Sequence, residues 1–234
     1  AWWENNTGNK GIAKRVPDQK LSNATNPEFC RDGECDDGIF AETLKPFIGK
    51  AEDNTFLVMH QIGSHGPAYY KRYPQAMEVF APACRTAQFA DCTQEEIVAV
   101  YDNTILYTDK NIADIIDLAK SKSDTLTTAV IYMSDHGESL GESGLYLHGA
   151  PYFIAPDEQT KVPFVAWFSD EFKDQMNLNS DCISAKKDSP VSQDNLFHSM
   201  LGLLNIETEV RQPALDLFGT CMDQKPASLA MTTD

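Results

Sequence analysis

Short, continuous apolar runs alternate with amphipathic helices in this chain, and this alternation constrains the fold more than any other feature. The runs lie at Thr55–Met59, Ala129–Ser134 and Pro163–Phe168. A continuous apolar run of this length is typical of a strand that is buried on both faces, as in a parallel sheet covered by helices. The pattern therefore predicts an α/β sandwich in which these three strands share one sheet.

Apolar residues at spacings of three and four predict the helices. Thr93 followed by Glu96 is a capping-box signature, and it opens a long helix. The predicted apolar face of that helix comprises Ile97, Tyr101, Ile105, Thr108, Ile112, Ile115 and Ala119. Further helices are predicted at Ile39–Ile48 and at about Asp194–Leu204. Strands and helices thus alternate along most of the chain, as an α/β domain requires.

The net charge limits the partners of the chain. Asp and Glu number 35 against 19 Lys and Arg, which gives a formal charge of −16. Nucleic acids and anionic lipid surfaces both attract basic proteins. We therefore expect no nucleic-acid partner. No apolar run reaches the roughly 18 residues that suggest a transmembrane helix.

The six cysteines indicate the compartment. They lie at positions Cys30, Cys35, Cys84, Cys92, Cys182 and Cys221. Their number is even and no two form a CxxC motif, so three disulfides and an oxidising compartment are expected. The alternative is six reduced, buried thiols in a cytosolic enzyme.

The strongest candidate for a metal site is the dipeptide Asp135-His136. It directly follows a predicted strand, and ligands of open α/β sheets bind at the carboxyl ends of strands. Carboxylate and neutral imidazole are both zinc ligands. Glu138 follows closely and could orient the ligands from behind. The alternative is that Asp135 caps a helix and His136 is a surface residue.

Of three other histidines, two lie in loops and one lies in a predicted helix. His65 lies in a glycine-containing turn after the first predicted strand, and His148 lies in a second glycine-rich loop. His198 lies inside the last predicted helix, where we expect a packing or surface role and not ligation. Histidines that gather in loops beyond strands favour a metal site, although they do not identify the reaction.

Lys10 lies among asparagines and glycines near the start of the chain. Asn6 belongs to the same segment, which reads NNTGNKG over residues 5–11. A lysine with neighbouring amides could hold a phosphate. The same composition is equally typical of a solvated loop.

Three longer motifs resemble one family. They read SDHGESLGESGLYLHGAP from Ser134, HQIGSHGPAYYKRYP from His60 and YDNTILYTD from Tyr101. They are similar to the catalytic domains of lipid A phosphoethanolamine transferases, a group within the alkaline phosphatase/sulfatase superfamily that includes the mobile colistin-resistance enzymes. The resemblance runs from Trp2 to at least Cys221. It implies a three-layer α/β/α sandwich of alkaline phosphatase/sulfatase type.

The resemblance also implies roles for individual residues. Asp135 and His136 would bind Zn²⁺. The substrate phosphate or a second zinc would be bound by His65 and His148. The phosphoethanolamine group would contact Lys10 and Asn6. Two cysteine pairs, Cys30–Cys35 and Cys84–Cys92, match family disulfides, and we expect Cys182 and Cys221 to form the third.

The chain departs from the family pattern at its start. A further cysteine pair of many relatives is replaced by Asn9 and Ala13. The family's glutamate ligand and its threonine nucleophile would both lie upstream of residue 1. We therefore expect residues 1–221 to be an incomplete soluble catalytic domain that is inactive alone, with residues 222–234 as a flexible tail.

The family resemblance implies a function. The threonine would take phosphoethanolamine from phosphatidylethanolamine and pass it to a lipid A phosphate, which confers polymyxin and colistin resistance. The site would lie on the periplasmic face of the bacterial inner membrane, with membrane contact through an absent N-terminal transmembrane domain. The alternatives are a sulfatase- or phosphodiesterase-type metallohydrolase of the same superfamily, and a non-catalytic zinc-binding module.

Overall fold

The computed structural model describes residues 1–23, 26–50 and 54–222. The chain divides into two compact units. The first comprises Ala1–Lys122 and Val130–Ala166, and the second comprises Ser123–Ala129 and the chain from Trp167 onward. The predicted tail lies outside the described residues except for Met222. Within the described stretches, no helix is both long and apolar enough to cross a bilayer.

A three-stranded parallel sheet begins the first unit. Its central strand β1 (Trp2–Glu4) pairs on one side with β2 (Asp18–Lys20) and on the other with the strand at Val58–His60. Trp3 is buried and packs edge-on against Phe47, with ring centroids 5.1 Å apart. Two loops that carry predicted site residues therefore follow strands of this sheet, one after β1 and one after the strand that ends at His60.

Two antiparallel strand pairs are short. β3 (Cys30–Arg31) pairs with β4 (Glu34–Cys35), and the next strand in chain order is β5, the strand at Val58–His60. Farther along, β7 (Ser139–Leu140) pairs with β8 (Tyr146–Leu147). Both strands of the second pair lie between His136 and His148, so their pairing brings the two ends of that segment together.

The two predicted helices of the first unit are confirmed. They are α1 (Ile39–Ile48) and α2 (Gln94–Lys120). Both hydrogen bonds of the capping box form, because the Thr93 hydroxyl accepts from the Glu96 N–H while the Glu96 carboxylate accepts from the Thr93 N–H. The capping residues therefore determine the start of α2, as the sequence predicts.

The predicted apolar face of α2 is only partly correct. Ile105 is 46% exposed, whereas the polar residue Asn103 is fully buried. The Asn103 side chain accepts hydrogen bonds from the N–H groups of Val79 and Phe80 and donates one to the Phe80 carbonyl. The buried face is rotated away from Ile105 because a loop docks its backbone on α2 through this amide.

The prediction of one sheet containing all three apolar strands is wrong within the described residues. β6 (Ala129–Met133) and β9 (Phe164–Phe168) form a two-stranded sheet, while β5 pairs with β1. All three strands are also half-buried for most of their length instead of fully buried. An apolar run shows that a strand is shielded from water, but it does not specify which strand pairs with it.

Short helices complete the chain. α3 (Asp157–Thr160) precedes β9 in the first unit. The second unit contains α4 (Asp170–Met176), α5 (Ser180–Ala185) and α6 (Asp194–Leu203). The last of these confirms the predicted C-terminal helix within one residue.

All six cysteines form disulfides, as expected. The pairs are Cys30–Cys35, Cys84–Cys92 and Cys182–Cys221. The first two close short loops in the first unit, and the third closes a loop across a sequence separation of 39 residues in the second unit. Three disulfides are typical of proteins from oxidising compartments.

Candidate metal centre

Three histidines from three loops of the first unit form one group. His65 follows β5, His136 follows β6 and His148 follows β8, and one ring nitrogen of each lies within 4.8 Å of the others. The rings of His136 and His148 are stacked with centroids 3.9 Å apart, and the His65 ring centroid is 5.0 Å from that of His148. The structure therefore brings together three of the residues that the sequence singled out.

Each of the three rings is held through Nδ1. The Nδ1 of His65 lies 2.7 Å from the Gly66 carbonyl oxygen, and that of His136 lies 3.0 Å from the Gly137 carbonyl oxygen. The Nδ1 of His148 lies 3.2 Å from the Glu138 carboxylate. All three partners are acceptors, so Nδ1 is the donor in each contact, and in the corresponding tautomer of imidazole the lone pair is on Nε2. Nε2 is therefore the atom that each ring can offer to a metal.

Glu138 connects two of the histidine loops. Its buried carboxylate accepts hydrogen bonds from the His148 ring, the Gly66 N–H and the Tyr69 hydroxyl. Burial raises the pKa of Tyr69 above its ordinary value, and the hydrogen bond to Glu138 raises it further. Tyr69 thus stays protonated and donates to the carboxylate. The sequence indicated Glu138 but not Tyr69, because the Glu138 carboxylate that this hydroxyl binds is 69 positions away in the sequence.

Asp37, just before α1, connects the loop after β1 to the loop after β5, which carries His65. Its buried carboxylate accepts from the Asn5 side chain, after β1, and from the Ile62 and Gly63 N–H groups, after β5. Burial raises the pKa of Asp37 to about 6, although these hydrogen bonds oppose the rise. Sequence reasoning missed Asp37, since an acidic residue before a helix is ordinarily interpreted as a cap.

Gly137 allows close packing beside His136. A Cβ atom on Gly137 would overlap the Glu158 carbonyl oxygen of α3. The Gly137 N–H donates to the Gln159 carbonyl at 3.0 Å, and the Gln159 side chain donates to the Ser139 hydroxyl. The segment that carries His136 is therefore fixed against α3 by backbone contact.

The other predicted site residues are Asp135, Asn6 and Lys10. The Asp135 side chain is 83% exposed, and its Oδ1 lies 3.9 Å from His136 Nε2. Asn6 donates to the Gln61 carbonyl at 3.1 Å, which ties it to the loop that carries His65. Lys10 is exposed in the loop after β1, with a positive φ of 51°.

The two remaining histidines have other contacts. His60 Nδ1 lies 3.2 Å from the buried Glu4 carboxylate. His198 is buried in the second unit, where its Nδ1 accepts the Gln212 N–H at 3.0 Å. His198 is therefore a packed helix residue, as predicted.

The donor set fits a divalent metal. Three imidazoles, each with one ring nitrogen within 4.8 Å of the others, are a zinc-type ligand set, and Asp135 offers a carboxylate oxygen nearby. Behind them, each Nδ1 has the carbonyl or carboxylate partner that metal-binding histidines normally have. Such a group can hold a Lewis acid at the end of β6.

Comparisons with known proteins give a consistent picture. The model of the Sulfatase family matches residues 1–206. The chain is 42% identical over 221 residues to phosphoethanolamine transferase EptA of Escherichia coli strain K12, covering 94% of the chain and 40% of that protein. It is 38% identical over 173 residues to phosphatidylethanolamine transferase Mcr-1 of Escherichia coli, covering 71% of the chain and 32% of that protein. The chain thus spans less than half the length of these curated relatives.

Solved structures agree with these matches. The lipooligosaccharide phosphoethanolamine transferase A of Neisseria meningitidis is 40% identical and covers 95% of this chain with a TM-score of 0.91, both as its soluble domain and as the integral membrane protein. The chain covers 67% of the first structure and 42% of the second. This match confirms the predicted fold class.

Proposed function

Since the chain belongs to the sulfatase family and, within it, to the phosphoethanolamine transferases, we propose that it carries the metal-binding part of an enzyme that transfers phosphoethanolamine from phosphatidylethanolamine to a lipid A phosphate. The observation that carries the proposal is the group of three imidazoles, in which one ring nitrogen of each lies within 4.8 Å of the others and every Nδ1 has an acceptor partner. Zinc is the metal that this donor set suits best. The site would be completed by Asp135.

Zinc at this site would act as a Lewis acid toward a phosphoryl oxygen or an attacking hydroxyl. We assign His136 and Asp135 to it as ligands, and the converging rings of His65 and His148 would complete its coordination or bind a second zinc beside it. Glu138 would hold the His148 ring in place for the metal, which limits the reorganisation needed during reaction.

The phosphoethanolamine group would be bound by the loop after β1. Lys10 is an exposed cation there and would pair with a phosphoryl oxygen. Asn6 is fixed to the His65 loop through the Gln61 carbonyl, so its loop and the histidines keep one arrangement. We assign the nucleophile to the threonine that the resemblance places before residue 1.

The transfer would proceed in two displacements. The threonine oxygen would bond to phosphorus as the diacylglycerol oxygen leaves with a proton. A lipid A phosphate oxygen would then displace the threonine, which regains its proton. The added amine would mask negative charge and reduce binding of polymyxins. The reaction would take place at the periplasmic face of the inner membrane, consistent with the three disulfides.

A chimera tests the proposal. Residues 1–221 would replace the matching segment of Escherichia coli EptA in cells that lack their own enzyme, with lipid A mass and polymyxin susceptibility as readouts. We expect phosphoethanolamine on lipid A, and His136→Ala should reduce it by about 100-fold or more, because the Lewis acid supplies several kcal/mol. His148→Ala should impair transfer but leave the protein folded.

Controls distinguish the competing functions. His198→Asn keeps an acceptor for the Gln212 N–H and should preserve transfer. Free phosphoethanolamine released without modified lipid A would indicate a hydrolase instead. Unchanged lipid A modification in the His136→Ala chimera would refute the zinc transferase proposal.

A further inference from the structure

Tyr152, Phe153 and Ile154 form an apolar tip on the loop that follows His148. Their exposed fractions are 87%, 85% and 62%. Isolated apolar residues on a surface are ordinary, but three consecutive ones of this size are not. Such an exposed apolar tip marks a site of contact with a membrane or with another protein.

The tip is an ordered turn. The N–H groups of Ile154 and Ala155 both donate to the Pro151 carbonyl at 2.9 Å. At its base, the Ala150 N–H donates to the Gln159 side chain at 3.3 Å, and Gln159 is itself buried. The backbone therefore presents the three side chains outward from a fixed base.

The segment that carries the tip lacks formal charge. From Ser143 to Pro156 the sequence contains no Asp, Glu, Lys or Arg, although 23% of the chain is charged and the net charge is −16. Charged residues would have to be desolvated on entering the lipid interface, and this stretch has none. Tyr and Phe beside Ile are the residue types that suit the boundary between headgroups and acyl chains.

The position of the tip relates it to the histidine group. Tyr152 follows His148 by four residues, so their Cα atoms are at most about 14 Å apart. The headgroup layer on each side of a bilayer is about 5–8 Å thick, so a tip at the acyl boundary keeps His148 near the headgroups. A phosphate that belongs to a lipid headgroup lies in that layer.

We propose that Tyr152, Phe153 and Ile154 insert into the surface of a phospholipid bilayer and hold the histidine group near the headgroup phosphates. The choice of a lipid as the partner rests on the proposed function, because that function takes its donor from a membrane. The contact is apolar and not electrostatic, since the acidic chain gains nothing from anionic lipid. Binding should therefore persist at high salt.

Vesicle flotation tests the tip. The 234-residue chain would be mixed with vesicles of phosphatidylcholine and phosphatidylethanolamine at 0.15 M and 1 M NaCl, approximately spanning physiological and strongly screened conditions. We expect the wild type to float at both salt concentrations. The triple variant Y152S/F153S/I154S should bind about tenfold or more weakly, because each lost side chain removes apolar burial.

A matched triple variant controls for general loss of surface hydrophobicity. V191S/I206S/V210S replaces three exposed apolar residues of the second unit and should float like the wild type. Equal flotation of the tip variant and the wild type would overturn the proposal, as would a wild type that does not float. A wild-type dimer that the tip variant converts to a monomer, with no flotation by either, would assign the tip to contact between copies and also overturn it.

The outcome is independent of the transferase test. Zinc affinity and lipid A modification by the chimera report on the histidine group, whereas flotation of the isolated chain reports on the tip alone. A chain that floats through its tip while the chimera is inactive would retain the membrane contact and refute the transferase proposal. An active chimera with no flotation would support the transferase proposal and refute the membrane contact of the tip.

Discussion

A histidine can bind a metal through either ring nitrogen, and the neighbours of the ring decide which one is available. In this chain the Nδ1 atoms of His65 and His136 face the backbone carbonyls of the residues that follow them. His148 alone relies on a side chain, Glu138. The group is therefore most vulnerable to mutation at Glu138, where one substitution alters the support of a ligand without removing it.

Glu138→Gln should weaken zinc binding by about 10- to 100-fold, because an amide cannot accept all three hydrogen bonds that the carboxylate accepts. Competition with a chromophoric chelator measures the affinity, and X-ray absorption of the zinc-bound chain counts the imidazoles. The exposed Glu158→Gln serves as the control. Identical affinities for the two variants would show that Glu138 does not position His148.

Asp37 predicts a particular pH dependence of stability. Its pKa is about 6 in the folded chain against an ordinary value of 3.8, so the folded state holds the proton more tightly. The stabilising contribution of Asp37 is therefore fully present below about pH 4 and is lost as the pH rises through about 6. Asp37→Asn removes this titration.

The free energy of unfolding of the Asp37→Asn variant, relative to wild type, should increase as the pH rises from about 4 to about 7. Urea unfolding at a series of pH values measures it. Asp188→Asn, an exposed substitution in the second unit, controls for the loss of one charge. A difference that stays flat or falls over this range would show that Asp37 is ionised in the folded state throughout.

At the scale of elements, the site depends on how closely the segment after β6 approaches α3. Gly137 stands where a side chain would meet the Glu158 carbonyl oxygen. Backbone in this position cannot move aside as a flexible side chain can. The glycine of the DHG motif therefore has a steric role in addition to any role near the metal.

Gly137→Ala should lower the free energy of unfolding by about 1–3 kcal/mol, the usual cost of overpacking, and should weaken zinc binding as His136 shifts. Gly49→Ala is the matched control, since nothing lies within 4 Å of its Cβ position and its φ is −73°. Thermal unfolding and the chelator assay measure both effects. Equal stability of the two variants would contradict the close approach.

At the scale of the whole molecule, each unit contains its own disulfides. The pair Cys182–Cys221 lies in the second unit, and Cys30–Cys35 lies in the first. A disulfide stabilises by restricting the unfolded chain, and the effect grows with the length of the closed loop. The long loop of the second unit therefore gains most from its disulfide.

Replacing Cys182 and Cys221 by serine should lower the free energy of unfolding by about 4 kcal/mol, from the entropy of a loop closed across 39 residues. The same change at Cys30 and Cys35 should cost about 2 kcal/mol, since that loop is short. Guanidinium unfolding of the two double variants compares them. The reverse order would show that native-state contacts, and not loop entropy, determine the effect.

The sequence predicted local features well because they depend on neighbouring residues. Thr93 and Glu96 define the start of α2, and the positions of His65 and His136 after predicted strands, with His148 in a glycine-rich loop, anticipate their convergence. The buried face of α2 was missed at Ile105, because the loop that Asn103 binds is distant in sequence. Strand pairing and the role of Asp37 were missed for the same reason, since both depend on long-range backbone partners.

The buried amide of Gln159 has a consequence for inheritance. One side chain serves two segments, because it accepts from the Ala150 N–H in a loop and donates to the Ser139 hydroxyl in strand β7. A substitution at position 159 that suits one loop leaves the other with an unsatisfied polar group. Among homologous sequences, positions 139 and 159 should therefore covary: they change together or not at all.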